Sequence, residues 1–191
     1  MLGYRPGGYH PVCLGDTFKG GRYKVHHKLG WVAFPPSGLQ RTKSMSLLTK
    51  TRIAFCLLLI GLRREQWVSI KITTADSSKH SPELHTFLSL AGHCQGHLHS
   101  KYIVQLLDHF LHQGPNGTHQ CLVFELLGPT VDAVAQEIYQ GGDVLEPETI
   151  LRMSKQLLQA ITFLHEIGYA HGGMVPSRSR SQFFCSCVFI N

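Results

Sequence analysis

The chain has 191 residues, with 16% charged and 43% hydrophobic side chains, a length and composition that suit one domain with a proper core. Its net charge of +6 would ordinarily point to an acidic partner, but the basic residues are scattered, and direct nucleic-acid binding is not expected. Cys13, Cys56, Cys94 and Cys121 stand alone and Cys185 and Cys187 form a C-x-C, so the C-x-x-C pairs of a zinc site are absent and no metal site is expected. His93, His97 and His99 read as part of a solvated loop. The N-terminus has no apolar signal region, and a reduced intracellular protein, cytoplasmic or nuclear, is expected. The run Ile53–Ile60, flanked by Arg52, Arg63 and Arg64, falls short of the roughly 20 residues that span a bilayer.

Taken in order, residues 1–21 are rich in Gly and Pro and read as an extended lead-in that orders on contact. Arg22 to Gly30 alternates and ends at a glycine, which predicts a first strand running into a turn. Trp67-Val68-Ser69-Ile70-Lys71-Ile72 reads as a short buried strand carrying one lysine, a pattern that a ladder-edge lysine also produces. Ser81-Pro82-Glu83 marks a helix start, with Ser81 as cap and Pro82 at the first helical position; by itself Glu83 reads as a solvated first-turn glutamate. Tyr102 to Leu111 reads as a strand, Gly114-Pro115-Asn116-Gly117 as a hairpin turn, and Gln120 to Leu126 as a strand buried on both faces. Thr130 to Ala135 suggests a short helix. Pro147 to Ile167 is the clearest helix, opened by Pro147 and closed by Gly168, with Ile150, Leu157, Leu158, Ile161 and Leu164 as its apolar face.

Tyr4-Arg5-Pro6-Gly7-Gly8-Tyr9-His10-Pro11-Val12, Gly15-Asp16, Arg22-Tyr23 and His27-Lys28-Leu29-Gly30-Trp31 together resemble the N-terminal signature of the SR-protein kinases, the fungal members above all. These are serine/threonine kinases that phosphorylate arginine-serine-rich splicing factors. The resemblance covers residues 4–31 and 67–173. It implies a kinase-like α+β small lobe, an antiparallel sheet plus one helix, with only the first helices of the large lobe. It also implies that Lys71 contacts ATP phosphates and that Glu83 holds it. Phe124 would guard the back of the nucleotide pocket, the backbone of Glu125 and Leu127 would meet adenine, and Gly30 is the surviving glycine of the phosphate-covering loop.

Two departures stand out. After Trp31 the family continues Gly-Gly-Phe-Ser-Thr-Val-Trp-Leu-Ala, whereas this chain has Val32-Ala33-Phe34-Pro35-Pro36, whose prolines stiffen the backbone and remove donors. One permitted set of codons for residues 31–42 gives the family motif when a single G is restored after the Trp31 codon. Residues 32–42 therefore read as a frameshifted loop, 43–60 as translated intron or filler, and 32–64 as a non-family insert. At the second departure, Gly173 stands where the family's catalytic loop has the aspartate that accepts the substrate proton, so no catalytic residue is assigned. Residues 174–191 read as a disordered or adventitious tail without metal ligands.

The expected division is thus 1–21 lead-in, 22–128 small lobe, 129–173 start of the large lobe and 174–191 tail. The expected function is that of a fragment of an SR-type kinase, using ATP with Mg in the intact family and inactive as written. The alternative is a non-catalytic, pseudokinase-like interaction module with a kinase or chaperone as partner.

Overall fold

A computed structural model describes residues 4–31, 55–61, 66–79, 82–94, 100–127, 138 and 145–169. The chain divides into two compact units, Met1–Leu88 with Leu106–Leu126, and Ser89–Gln105 with Leu127–Asn191. The first unit carries a six-stranded, wholly antiparallel sheet. Its strands are β1 (Thr17–Phe18), β2 (Tyr23–Trp31), β3 (Phe55–Gly61), β4 (Gln66–Ile72), β5 (Leu106–Gly114) and β6 (Gly117–Glu125), in the spatial order β1-β2-β3-β4-β6-β5. A helical turn, α1 (Ala75–Ser78), follows β4, and helix α2 (Pro82–Cys94) leads out of the unit. This is the α+β, kinase small-lobe-like arrangement that the sequence implies.

Alternation along the strands sorts side chains between the two sheet faces. Val68, Ile70 and Ile72 of β4 join Cys121 and Val123 of β6, Tyr23 and Val25 of β2 and Phe18 of β1 in one core. Lys71 points to the opposite face, where it pairs across from Leu122, while Phe124 of β6 meets Phe87 of α2 edge-on with ring centroids 4.9 Å apart. The hairpin between β5 and β6 turns at Pro115–Asn116, as expected from its Gly-Pro-Asn-Gly run.

The ends of the strand order meet through side chains. Tyr23 donates its hydroxyl to Asp108 of β5 at 2.7 Å, Lys19 Nζ lies 2.6 Å from the same carboxylate, and Phe18 packs on His112 with centroids 4.7 Å apart. The sheet therefore curls until β1 and β2 face β5. Burial would raise the Asp108 carboxyl, but the hydrogen bonds from Lys19 and Tyr23 outweigh it and hold the group below its usual range.

Two features, β3 and α1, differ from the expectations. The apolar run read as filler forms β3, which pairs with β2 on one side and β4 on the other. Seven apolar residues match a strand in length, and both neighbours need a partner for their backbone groups. The described part of the lead-in is held by contacts with the rest of the unit. Gly7 N–H donates to Asn116 O at 2.7 Å, Asn116 Nδ2 donates to Tyr9 O at 2.6 Å, and His10 and Phe18 are buried. Finally, α1 was unforeseen; its N-cap is Thr74, whose hydroxyl accepts from Ser77 N–H.

In the second unit, the 3₁₀ turn Ser100–Tyr102 packs against helix α3 (Pro147–Glu166). Tyr102 and Ile103 are buried there, as are Ala160, Phe163 and Leu164 of α3. The buried stripe thus differs from the expected one: Ile150 and Leu158 are exposed, and Ala160 and Phe163 take their place. The helix closes as expected, with Gly168 at φ +79° and Tyr169 N–H donating to Leu164 O at 2.8 Å. Among the described residues no helix is long and apolar enough to cross a membrane. The Ser81 cap, the helix expected at Thr130–Ala135, the tail, and His97 and His99 lie outside the described residues.

Candidate functional site

Strand β4 presents Lys71 between two buried hydrophobic positions, and the start of α2 presents Glu83. The two meet as a bidentate ion pair. Lys71 Nζ lies 2.6 and 2.7 Å from the two carboxylate oxygens of Glu83. Lys71 is 1% exposed, and the Glu83 side chain 17%. An ammonium removed from water at such depth needs a carboxylate against it, because the desolvation cost of an isolated buried charge is several kcal/mol. The pairing also fixes the start of α2 against the sheet, with Phe87 and Phe124 packed one turn further along.

The strand continues past Lys71 into a dense polar junction. Thr73 N–H and Oγ1 both donate to Gln120 O, at 3.0 and 3.2 Å, and Gln120 N–H donates to Ser78 Oγ at 2.7 Å. His119 Nδ1 lies 2.9 Å from Thr73 O. This network holds the end of β4 to β6 and sets where Lys71 sits along the sheet.

The remaining candidates fall differently. Glu125 ends β6 and pairs with Val68, and its carbonyl accepts from Ser69 Oγ at 3.2 Å. Leu127 follows two residues later in irregular chain, at the start of the second unit's long segment. Gly30 lies in β2 opposite Cys56, beside an irregularity between Lys28 and Gly30. Gly173, at the position where an aspartate was expected, is outside the described residues. No group of three His, Cys, Asp or Glu that could hold a metal ion occurs among the described residues. Cys13, Cys94 and Cys121 are free thiols, and burial pushes Cys121 up to about 12.

Sequence reasoning missed the N-terminal arm as part of this region. Gly8 O and Gly7 O accept from Ala75 N–H and Asp76 N–H at 3.1 and 2.9 Å, so residues 7 and 8 cover the first turn of α1. Gly7 has φ +80°, and a Cβ there would lie 2.4 Å from Asp76 Oδ1, which is a positional reason for the glycine. The Gly7-Gly8 pair was the available signal.

No protein-family model matches the chain. Individual relatives do. The chain is 33% identical over 174 residues to protein kinase dsk1 of Schizosaccharomyces pombe, covering 91% of this chain and 29% of that protein. It is 30% identical over 180 residues to the serine/threonine-protein kinase SKY1 of Saccharomyces cerevisiae, covering 91% of this chain and 21% of that protein. It is 32% identical over 175 residues to the human SRSF protein kinase 3, covering 85% of this chain and 25% of that protein. The chain thus spans less than a third of the length of these three relatives.

Proposed function

The chain belongs to the SR-protein kinase family as a fragment, and from this premise we propose that its first unit is the small-lobe half of an ATP site. The observation that carries the reading is the buried Lys71–Glu83 pair, in which one strand and one helix hold an ammonium in a fixed place. Lys71 contacts the nucleotide phosphates and Glu83 orients it. The backbone of Glu125 and Leu127 faces adenine, and Gly30 begins the loop over the phosphates. ATP with Mg is the cofactor of the intact family. Lys71, held by Glu83, is the residue on which the nucleotide reading rests, and no cluster for a metal occurs among the described residues. Arginine-serine-rich splicing factors are the proposed substrates of the intact kinase, and its compartment the cytoplasm or nucleus.

Phosphoryl transfer by this chain is not proposed. Glycine at 173 has no side chain to take the hydroxyl proton, and losing a general base costs roughly 10²–10⁴-fold. Titration of ATP into the 191-residue protein tests both parts. Saturable binding is expected, weakened at least tenfold by Lys71→Met, with no phosphate transferred to an arginine-serine peptide. Equal binding by wild type and Lys71→Met removes the assignment of Lys71. Transfer above the background of the Lys71→Met protein removes the assignment of inactivity.

A second reading, a non-catalytic interaction module, is favoured by one observation. Ile150, Leu151 and Leu158 of α3 are 46%, 69% and 63% exposed. Such a row suits an apolar partner surface or a chaperone. Purification of the chain as a soluble species without a co-purifying partner would count against it.

A further inference from the structure

Three imidazoles from distant parts of the chain converge where the N-terminal arm meets the sheet. His10 of the arm lies with its ring centroid 4.6 Å from His112 of β5 and 5.1 Å from His119 of β6. Phe18 of β1 closes the group, 5.9 Å from His10 and 4.7 Å from His112. His10 is 8% exposed and His119 is fully buried. Among the described residues, His10 Nδ1 and His119 Nε2 have no hydrogen-bond partner. His119 bonds through its other nitrogen to Thr73 O, two residues after Lys71.

The geometry does not suit a metal. His10 Nδ1 is directed at Gly114, where an added Cβ would lie 2.2 Å from it, so no space for an ion remains on that side. What the cluster does instead is disfavour positive charge. Among the described residues the buried His10 Nδ1 has no acceptor for an added proton, and a protonated His10 would face His112 and His119.

We propose that His10 and His112, packed with His119, form a proton-operated latch, which holds the N-terminal arm on the sheet while neutral and releases it as His10 and His112 take up protons. The charged and titratable groups around His10 are His112 from β5, His119 from β6 and Asp16 ahead of β1. Burial first, then His112 and His119, push His10 down to about 4, and Asp16 opposes them only in part. His112 is also lowered, by burial and then by His119. The sign follows directly. A histidine lowered in the closed state binds fewer protons there than in the open state, so closure is favoured fully above about pH 6.5. That advantage is lost progressively as pH falls from there toward 4.

The latch has a direct reporter. Ala75 and Asp76 open α1, where backbone N–H groups have no partner within the helix. Their hydrogen bonds go to Gly8 O and Gly7 O of the arm, so their protection from hydrogen exchange reads arm closure. With His10 moving from about 4 to its ordinary 6.5 on opening, protection falls about thirtyfold between pH 7.5 and 5.0, after correction for intrinsic exchange. The experiment measures these two amides in the full chain and in His10→Phe, with the amides of α3 as internal reference. The expected result is a steep loss in wild type and a clearly shallower one in the variant. Unchanged protection in wild type, or the same slope in His10→Phe, overturns the latch. Should His10→Phe fail to fold, the ring resonance of His10 in wild type decides: a midpoint well below 6 supports the latch, and one at 6.5 overturns it.

Discussion

Lys71 and Glu83 show how a charged residue becomes tolerable at the centre of a sheet. Removing either partner alone leaves a charge without compensation. Glu83→Ala should therefore lower stability by about 3 kcal/mol, as read from urea unfolding. The double variant Lys71→Met with Glu83→Gln should recover most of that loss, because both charges leave together and Met fills similar volume. Additive losses in the double variant would mean that the pair is not energetically coupled. This pair was legible only through the resemblance, since by themselves a lysine in an apolar strand and a glutamate in a helix's first turn also read as a ladder-edge lysine and a solvated glutamate. The histidine junction was not. His10 and His119 are far apart in the chain, and a histidine in a Gly- and Pro-rich stretch carries no periodicity that would announce burial.

Among the elements, α3 shows why periodicity can name a helix and still misplace its face. Its sequence carries apolar residues on more than one side. The expected stripe ran through Ile150, Leu157, Leu158, Ile161 and Leu164, and the structure rotates it toward Ala160 and Phe163. A small residue such as Ala160 weighs little in a pattern yet lets the helix approach its neighbour closely. Leu158→Glu should accordingly change the unfolding free energy by less than about 0.5 kcal/mol while reducing self-association in sedimentation. Phe163→Ala should cost about 3–5 kcal/mol. A large loss from Leu158→Glu would show that this surface is covered. Strand β3 taught the opposite lesson. Its apolar run was plain in the sequence, but with the stretch attributed to a broken reading frame it had no structural role until the sheet supplied one.

For the first unit as a whole, the decisive feature is that the sheet is closed by side chains across its two ends. Asp108 gathers Lys19, Arg22 and Tyr23, joining β5 to the β1–β2 turn. Its carboxyl is held below the usual 3.8, so the contribution is full above that value and is lost as pH falls below it. Asp108→Asn should cost about 2 kcal/mol at pH 7, and the gap from wild type should narrow below pH 3.8 in urea midpoints taken across the acid range. That window lies below the one set by the histidines, so the two closures can be separated by titration.

The same closure governs the order in which the molecule can be completed. The arm is bonded to Asn116 across 107 residues of sequence, and Lys19 reaches Asp108 across 89. Synthesis runs from N- to C-terminus, so the arm leaves the ribosome before the hairpin on which it docks. Until the β5–β6 hairpin emerges, His10 lacks His112 and His119, and Phe18 lacks His112 and the β6 part of its core. A nascent chain should thus keep residues 4–18 open to proteases long after they are made, and seal them only when residue 119 is free of the exit tunnel.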